Sequence, residues 1–129
     1  TKKPTRVVYK EAKKHQSTEY SRVPRTLDSF KSCLASGLPF VFGFAVYESF
    51  MTREIAKTGM MSWPSKEEKA YGGHAVCCVG YDDTLEGGRF IVRNSWGDRW
   101  GDKGYFYMPY EYLTGKGLAD DFWVIQTVE

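Results

Sequence analysis

The chain has 129 residues, 42% hydrophobic and 26% charged, the size and composition of one folded domain, which excludes a disordered or collagen-like chain. Its 18 basic and 16 acidic residues leave a net charge of +2, too little for a general field that would draw nucleic acid or a membrane surface. It has no run of about 18 apolar residues to span a bilayer, and its first residues, Thr1-Lys2-Lys3-Pro4-Thr5-Arg6, lack the apolar centre of a signal peptide.

Residues 1 to 31 hold nine Lys and Arg against three Asp and Glu, a basic start that reads as a solvated lysine-rich edge or as an interaction arm. Within it, Arg6 to Tyr9 suits a short strand, and the polar run through His15-Gln16-Ser17-Thr18-Glu19 resembles a linker. A helix is predicted from Thr26 to Gly37: Thr26 caps it, Leu27, Phe30 and Leu34 share a stripe, and Gly37 ends it. Leu38 to Tyr47, with Phe40, Val41, Phe42, Phe44 and Val46, is too short and too rich in aromatic and β-branched residues for a helix and reads as a buried strand. Residues 48 to 57 coil briefly. Thr58 to Tyr71, with Gly59, Pro64 and the cluster Lys66-Glu67-Glu68-Lys69, marks an exposed loop of the kind that borders sites.

Gly73 to Tyr81 and Arg89 to Ser95 are two β-rich runs joined by Asp82-Asp83-Thr84-Leu85-Glu86-Gly87-Gly88, a long hairpin connection. Gly104 to Met108 and Phe122 to Thr127 give two further strands. The predicted class is α+β: a mostly antiparallel sheet or barrel with one or two short helices. The 21 aromatic residues are enough to fill a core or to cover a partner's surface.

A hairpin centred near Thr84 brings His74 directly opposite Asn94, where facing Cβ atoms lie about 4.5 to 5.5 Å apart. The Asn94 amide oxygen then accepts from one imidazole nitrogen and fixes the ring, leaving the other nitrogen as a proton acceptor. That is the base and orienter needed to activate a nucleophile. A histidine before Ala-Val on an apolar strand has a plainer explanation as a hydrogen-bonded core residue, so the surrounding motifs have to decide.

They do so by resemblance. Asn94-Ser95-Trp96-Gly97-Asp98-Arg99-Trp100-Gly101-Asp102-Lys103-Gly104-Tyr105 closely resembles the asparagine region of papain-like cysteine peptidases, and Gly72-Gly73-His74-Ala75-Val76-Cys77-Cys78-Val79-Gly80-Tyr81 resembles their histidine strand. A fainter likeness runs from about Val23 to the end, which makes residues 1–22 a lead-in and residues 23–129 the right-hand, β-rich lobe of a two-lobe fold. The resemblance implies that His74 is base and later acid, Asn94 its orienter, Trp96 a lid over their hydrogen bond, and Trp100 a packing residue. It also implies that Gly72, Gly73, Ala75 and Gly43 line the main specificity pocket. Asp120 or Asp121 would sit at the far end of that pocket, where a carboxylate favours a basic group.

The family's nucleophile motif, a Cys before Trp just after a Gln, occurs nowhere in the sequence. Cys78 lies on the same strand face as His74 but four residues on, roughly 13 Å away. Cys77 points to the other face, and Cys33 sits mid-helix near the apolar stripe. The expected partner is therefore an N-terminal half carrying the catalytic Cys, with a peptide or protein as substrate. No cofactor, membrane or nucleic acid is expected. The other reading is a non-catalytic papain-like lobe that binds a peptide or protein.

Zinc held by His74, Cys77 and Cys78 conflicts with the strand geometry, since a tetrahedral site needs all ligands at about 2.0 to 2.3 Å from one point. Gly97 to Gly101 lacks a strand-to-helix phosphate cradle. Two features depart from the family pattern. The position before the histidine, frequently Asp or Asn, is Gly73. The disulfide that many secreted members carry in this lobe has no matching cysteines, which leaves a reducing compartment open beside a secreted or lysosomal one.

Overall fold

Eight phenylalanines in a chain of this length have to leave water together, and in the computed structural model each is at most 3% exposed. The structure describes residues 17–115 and 117–128; the strand expected at Arg6 to Tyr9 lies outside them. The described strands are β1 (Ser17–Arg22), β2 (Phe40–Tyr47), β3 (Ala70–Asp82), β4 (Arg89–Arg93), β5 (Tyr105–Pro109) and β6 (Ala119–Val128). They form one six-stranded sheet in the order β1-β6-β2-β3-β4-β5, with every neighbouring pair antiparallel. Helices α1 (Leu27–Ala35), α2 (Arg53–Thr58) and α3 (Tyr110–Thr114) and a 3-10 turn at Glu48–Met51 complete the described fold.

Helix α1 starts where expected. The Thr26 hydroxyl accepts from the Ser29 N–H at 3.1 Å, which satisfies one of the free donors of the first turn, and Gly37 leaves the helix at φ +80. Phe30 is the buried centre of its stripe, stacked on Phe40 at 5.1 Å and packed on Phe122 and Phe90 at 4.7 and 5.8 Å. The phenylalanines, with Tyr110 and Tyr112, thus go into the core, while Trp63, Tyr71 and Trp96 are exposed.

Strand β2 is buried on one face only. Phe40, Phe42, Phe44 and Val46 are buried while Val41, Gly43, Ala45 and Tyr47 are half-buried, the period of two expected when one face of an antiparallel sheet stays open. Part of the stretch read as a linker is strand: Ser17 to Arg22 pair with β6. Residues 48 to 57 form the 3-10 turn and most of α2, whose cap Gly59 is left-handed at φ +76. Helix α3 was not expected. Its Tyr112 is buried and donates its hydroxyl to the Ala45 carbonyl at 2.8 Å.

The register of the central hairpin differs from the expected one. Cys77 pairs with Arg93 and Cys78 with Val92, but Gly80 pairs with Ile91, so Val79 is an extra, bulged residue. A bulge adds one residue to one strand and shifts everything beyond it. The larger difference lies in the hairpin itself, which pairs Asp82 with Arg89 and so is centred between Leu85 and Glu86 rather than near Thr84; the bulge recovers one residue of that offset, and His74 still does not face Asn94 across the ladder. Its ladder partner is Phe44 of β2, and β3 runs on past the end of β4, where Asn94 begins the next turn.

Candidate active site

His74 and Asn94 meet in spite of that shift. With Arg93 as the last residue of β4, Asn94 turns back, its backbone N–H bonding Gly104 O at 2.9 Å, and its side chain reaches His74 Nε2 with Oδ1 at 2.8 Å. Asn94 Oδ1 also accepts from the Ser95 backbone N–H at 2.8 Å. Both contacts need that atom to be an acceptor, so Nε2 carries the proton and the Nδ1 lone pair of neutral His74 is left for a proton in transit. Asn94 is 6% exposed and His74 half-buried, so the bond sits at the border of core and solvent.

Trp96 lies over the imidazole, 5.1 Å between centroids and 22° between planes, and is itself 40% exposed. Phe44 closes the ring's other flank at 5.9 Å. Trp100 packs on Phe50 and Phe106 at 5.4 and 5.6 Å and braces Trp96 edge-on at 5.1 Å. The turn from Asn94 to Tyr105 depends on Gly101, whose φ is +63 and whose missing Cβ would collide with Tyr105 O. Its N–H bonds Ala56 O at 2.6 Å, which ties the tryptophan turn to α2.

Of the three cysteines, Cys77 lines a groove together with Asn94 and Ser95. Cys78 is fully buried and its thiol is pushed well above the ordinary range by burial. Burial also raises Cys33 and Cys77, the latter partly offset by the nearby Arg93 guanidinium. Cys33 Sγ is within 3.2 Å of Leu38 O, and Cys78 Sγ within 3.6 Å of Gly80 O. A thiolate, not a thiol, is the nucleophile, so the burial of these groups works against attack by any of the three. Among the described residues, no three His, Cys, Asp or Glu side chains converge to hold a metal.

Beside His74, Gly43, Gly72, Gly73 and Asp120 line one cleft of about 500 Å³, together with Phe44, Asp121 and Arg25. A Cβ added at Gly72 or Gly73 would meet nothing within 4 Å, so these glycines leave open space. Ala75 does not join them: two residues further along β3, it lines an adjoining groove of about 400 Å³ with Val41, Cys77 and Arg93. Arg25 had no sequence signal as a cleft residue. It precedes α1 and reaches Asp120 across 95 positions of sequence. Phe50, the brace behind Trp96, was equally hidden, inside a segment read only as a brief coil. Arg89, also unforeseen, is 8% exposed and donates to the carbonyls of Met61 and Tyr107, which pins the loop leading into β3.

Comparison with known proteins shows the family. A family model described as papain family cysteine protease matches residues 2–122. The chain is 46% identical to a peptidase C1-like protein of Acanthamoeba polyphaga mimivirus, covering 98% of this chain and 42% of that one. It is 32% identical to cathepsin B-like cysteine proteinase 3 of Ostertagia ostertagi over 78% of this chain and 54% of that one. Among solved structures it superposes on xylellain, a cysteine protease from Xylella fastidiosa, with a TM-score of 0.85 and 51% identity, covering 99% of this chain and 47% of the other. The chain thus spans about half the length of these relatives.

Proposed function

This chain belongs to the papain family of cysteine proteases, and we propose that it is the lobe supplying the histidine and asparagine of a cysteine endopeptidase, the nucleophilic thiol coming from a Cys-bearing half. The observation that carries this reading is the His74 Nε2 to Asn94 Oδ1 bond of 2.8 Å beneath Trp96. The three raised thiols support the second clause, since none of them offers a thiolate beside His74.

In the assembled enzyme the free Nδ1 of His74 takes the proton of the incoming thiol, and the thiolate and imidazolium form together. The thiolate adds to the peptide carbonyl carbon. As the tetrahedral adduct collapses, the C–N bond breaks and imidazolium returns its proton to the leaving amine, leaving a thioester. His74 then deprotonates water, whose attack releases the acid and the thiol. Asn94 keeps the ring aimed while its charge changes. The cleft lined by Gly43, Gly72 and Gly73 receives a substrate side chain, and Ala75 borders the adjoining groove.

In the reassembled protein, His74→Ala should abolish peptide hydrolysis, and Asn94→Ala should reduce it less, since an orienter costs less to lose than the base. Hydrolysis at the wild-type rate by His74→Ala would overturn the reading. The second reading is a non-catalytic lobe that binds peptides, which the burial of all three thiols also favours. A companion half with Ser, Gly or Ala at the nucleophile position would decide for it, and covalent labelling of that half by a peptidyl epoxide would decide against it.

A further inference from the structure

The resemblance suggests that a carboxylate at the far end of the cleft favours a basic side chain. The cleft is not built that way. Asp120 Oδ1 lies 3.2 Å from Arg25 Nη2 and also accepts from the Asp121 N–H at 2.7 Å. Arg25 is held by two further contacts: its Nη1 donates to Gly115 O at 2.9 Å, and its guanidinium sits 5.5 Å from the centre of the Phe122 ring. Its side chain is only 28% exposed against 84% for Asp120, so the arginine is the better fixed of the two. The second acid has its own arginine, with Asp121 3.7 Å from Arg22 and also accepting from Trp123 Nε1 at 2.8 Å.

A charge paired with its opposite at 3.2 Å acts on a third group as a dipole, whose field falls off faster than that of a lone carboxylate. Beyond Arg25, Asp120 and the Arg22-paired Asp121, the described lining is glycine backbone and the apolar surface of Phe44, Ala45, Ala70, Leu118 and Ala119.

We propose that Arg25 is a specificity-determining residue: by cancelling Asp120 it makes the cleft select uncharged, apolar substrate side chains over basic ones. This rests on the reading of the cleft as the substrate pocket, and it assigns that pocket a substrate class. The Arg25–Asp120 pair is symmetrical in charge, and Asp121 is held by Arg22, so removing either partner of the first pair should swing the preference in opposite directions. Without Arg25 the cleft is anionic and takes a basic group; without the Asp120 charge it is cationic and takes an acidic one.

The test is binding of N-acetyl amides of leucine, arginine and glutamate to the full chain, followed by NMR shifts of the backbone amides of Gly43, Gly72 and Ala119. The wild-type protein should bind the leucine amide most tightly. Arg25→Gln should move the ratio of arginine to leucine binding about fivefold toward arginine, and Asp120→Asn should move that of glutamate to leucine about fivefold toward glutamate, the scale of a partly exposed ion pair. The proposal is overturned if wild type prefers the arginine amide, if both variants keep the wild-type ranking, or if no amide shifts these resonances. Asp120→Asn spares the Arg25 contacts to Gly115 and Phe122, so the test survives a misfolded Arg25→Gln. The expected ranking in a reassembled protein that hydrolyses nothing would sink the proteolytic reading alone, whereas hydrolysis with an unswitched ranking would sink this one alone.

Discussion

The imidazole of His74 and the indole of Trp96 lie nearly parallel, 5.1 Å apart, and Phe50 and Trp100 hold the indole edge-on from behind at 5.7 and 5.1 Å. The cover is thus an extension of the core. Water competes for an exposed hydrogen bond and weakens it, so Trp96→Ala should speed exchange of the His74 Nε2 proton by about tenfold, the order of one hydrogen bond's net worth. NMR of the ring proton measures it. An unchanged exchange rate would reduce Trp96 to a packing residue.

The thiols offer a second check. Burial raises Cys33, Cys77 and Cys78 above the ordinary thiol value, so at pH 7 each holds less thiolate than a free cysteine. Iodoacetamide should modify all three more slowly than a small thiol, with fully buried Cys78 last, and a peptidyl epoxide should leave them untouched. Mass spectrometry locates the adducts. Rapid labelling of any of the three at neutral pH would contradict the thiol environments described above.

Glu68 ties the loop before β3 to the 3-10 turn. Its two oxygens accept from the Ser65 and Ser49 backbone N–H groups, both at 2.6 Å, and these bonds hold its carboxyl below the usual value. A carboxylate with a lowered folded-state value stabilises the protein above its unfolded value, and that contribution disappears as the pH falls through the folded one. Glu68→Gln should therefore lower Tm at pH 7 and make little difference in strong acid. Thermal melts at both ends of the range test the sign; an equal loss at both would exclude the linkage.

Gly101 combines a left-handed φ of +63 with a Cβ position blocked by Tyr105 O. Gly101→Ala should cost about 1 to 3 kcal/mol in denaturant unfolding. Because its N–H anchors the tryptophan turn to Ala56, the same change should broaden the His74 and Trp96 resonances. A neutral substitution would mean that the turn adapts freely.

Most of the fold was legible in the chain because local signals agreed with burial. The cap at Thr26 and the stripe of Leu27, Phe30 and Leu34 predicted α1, and the dense apolar run predicted β2. Helix α3 was missed because Tyr110 to Thr114 is one turn long, too short to show a period. The start of β1 at Ser17 was missed because a polar edge strand has no apolar alternation, and only pairing with β6 defines it.

By itself the amino-acid order determined that an imidazole on one β ribbon and an amide just past the end of the next stand near each other, since two long motifs flank one hairpin and short-range pattern is what a sequence records. The tertiary structure alone decided how they meet. The hairpin is centred beyond Thr84, with Asp82 opposite Arg89 and a bulge at Val79, and the turn held by Gly101 carries Asn94 and Trp96 back to His74. It also decided the charge of the cleft, because Arg25 and Asp120 become neighbours only when β6 closes beside the entry to α1, a contact no local rule encodes.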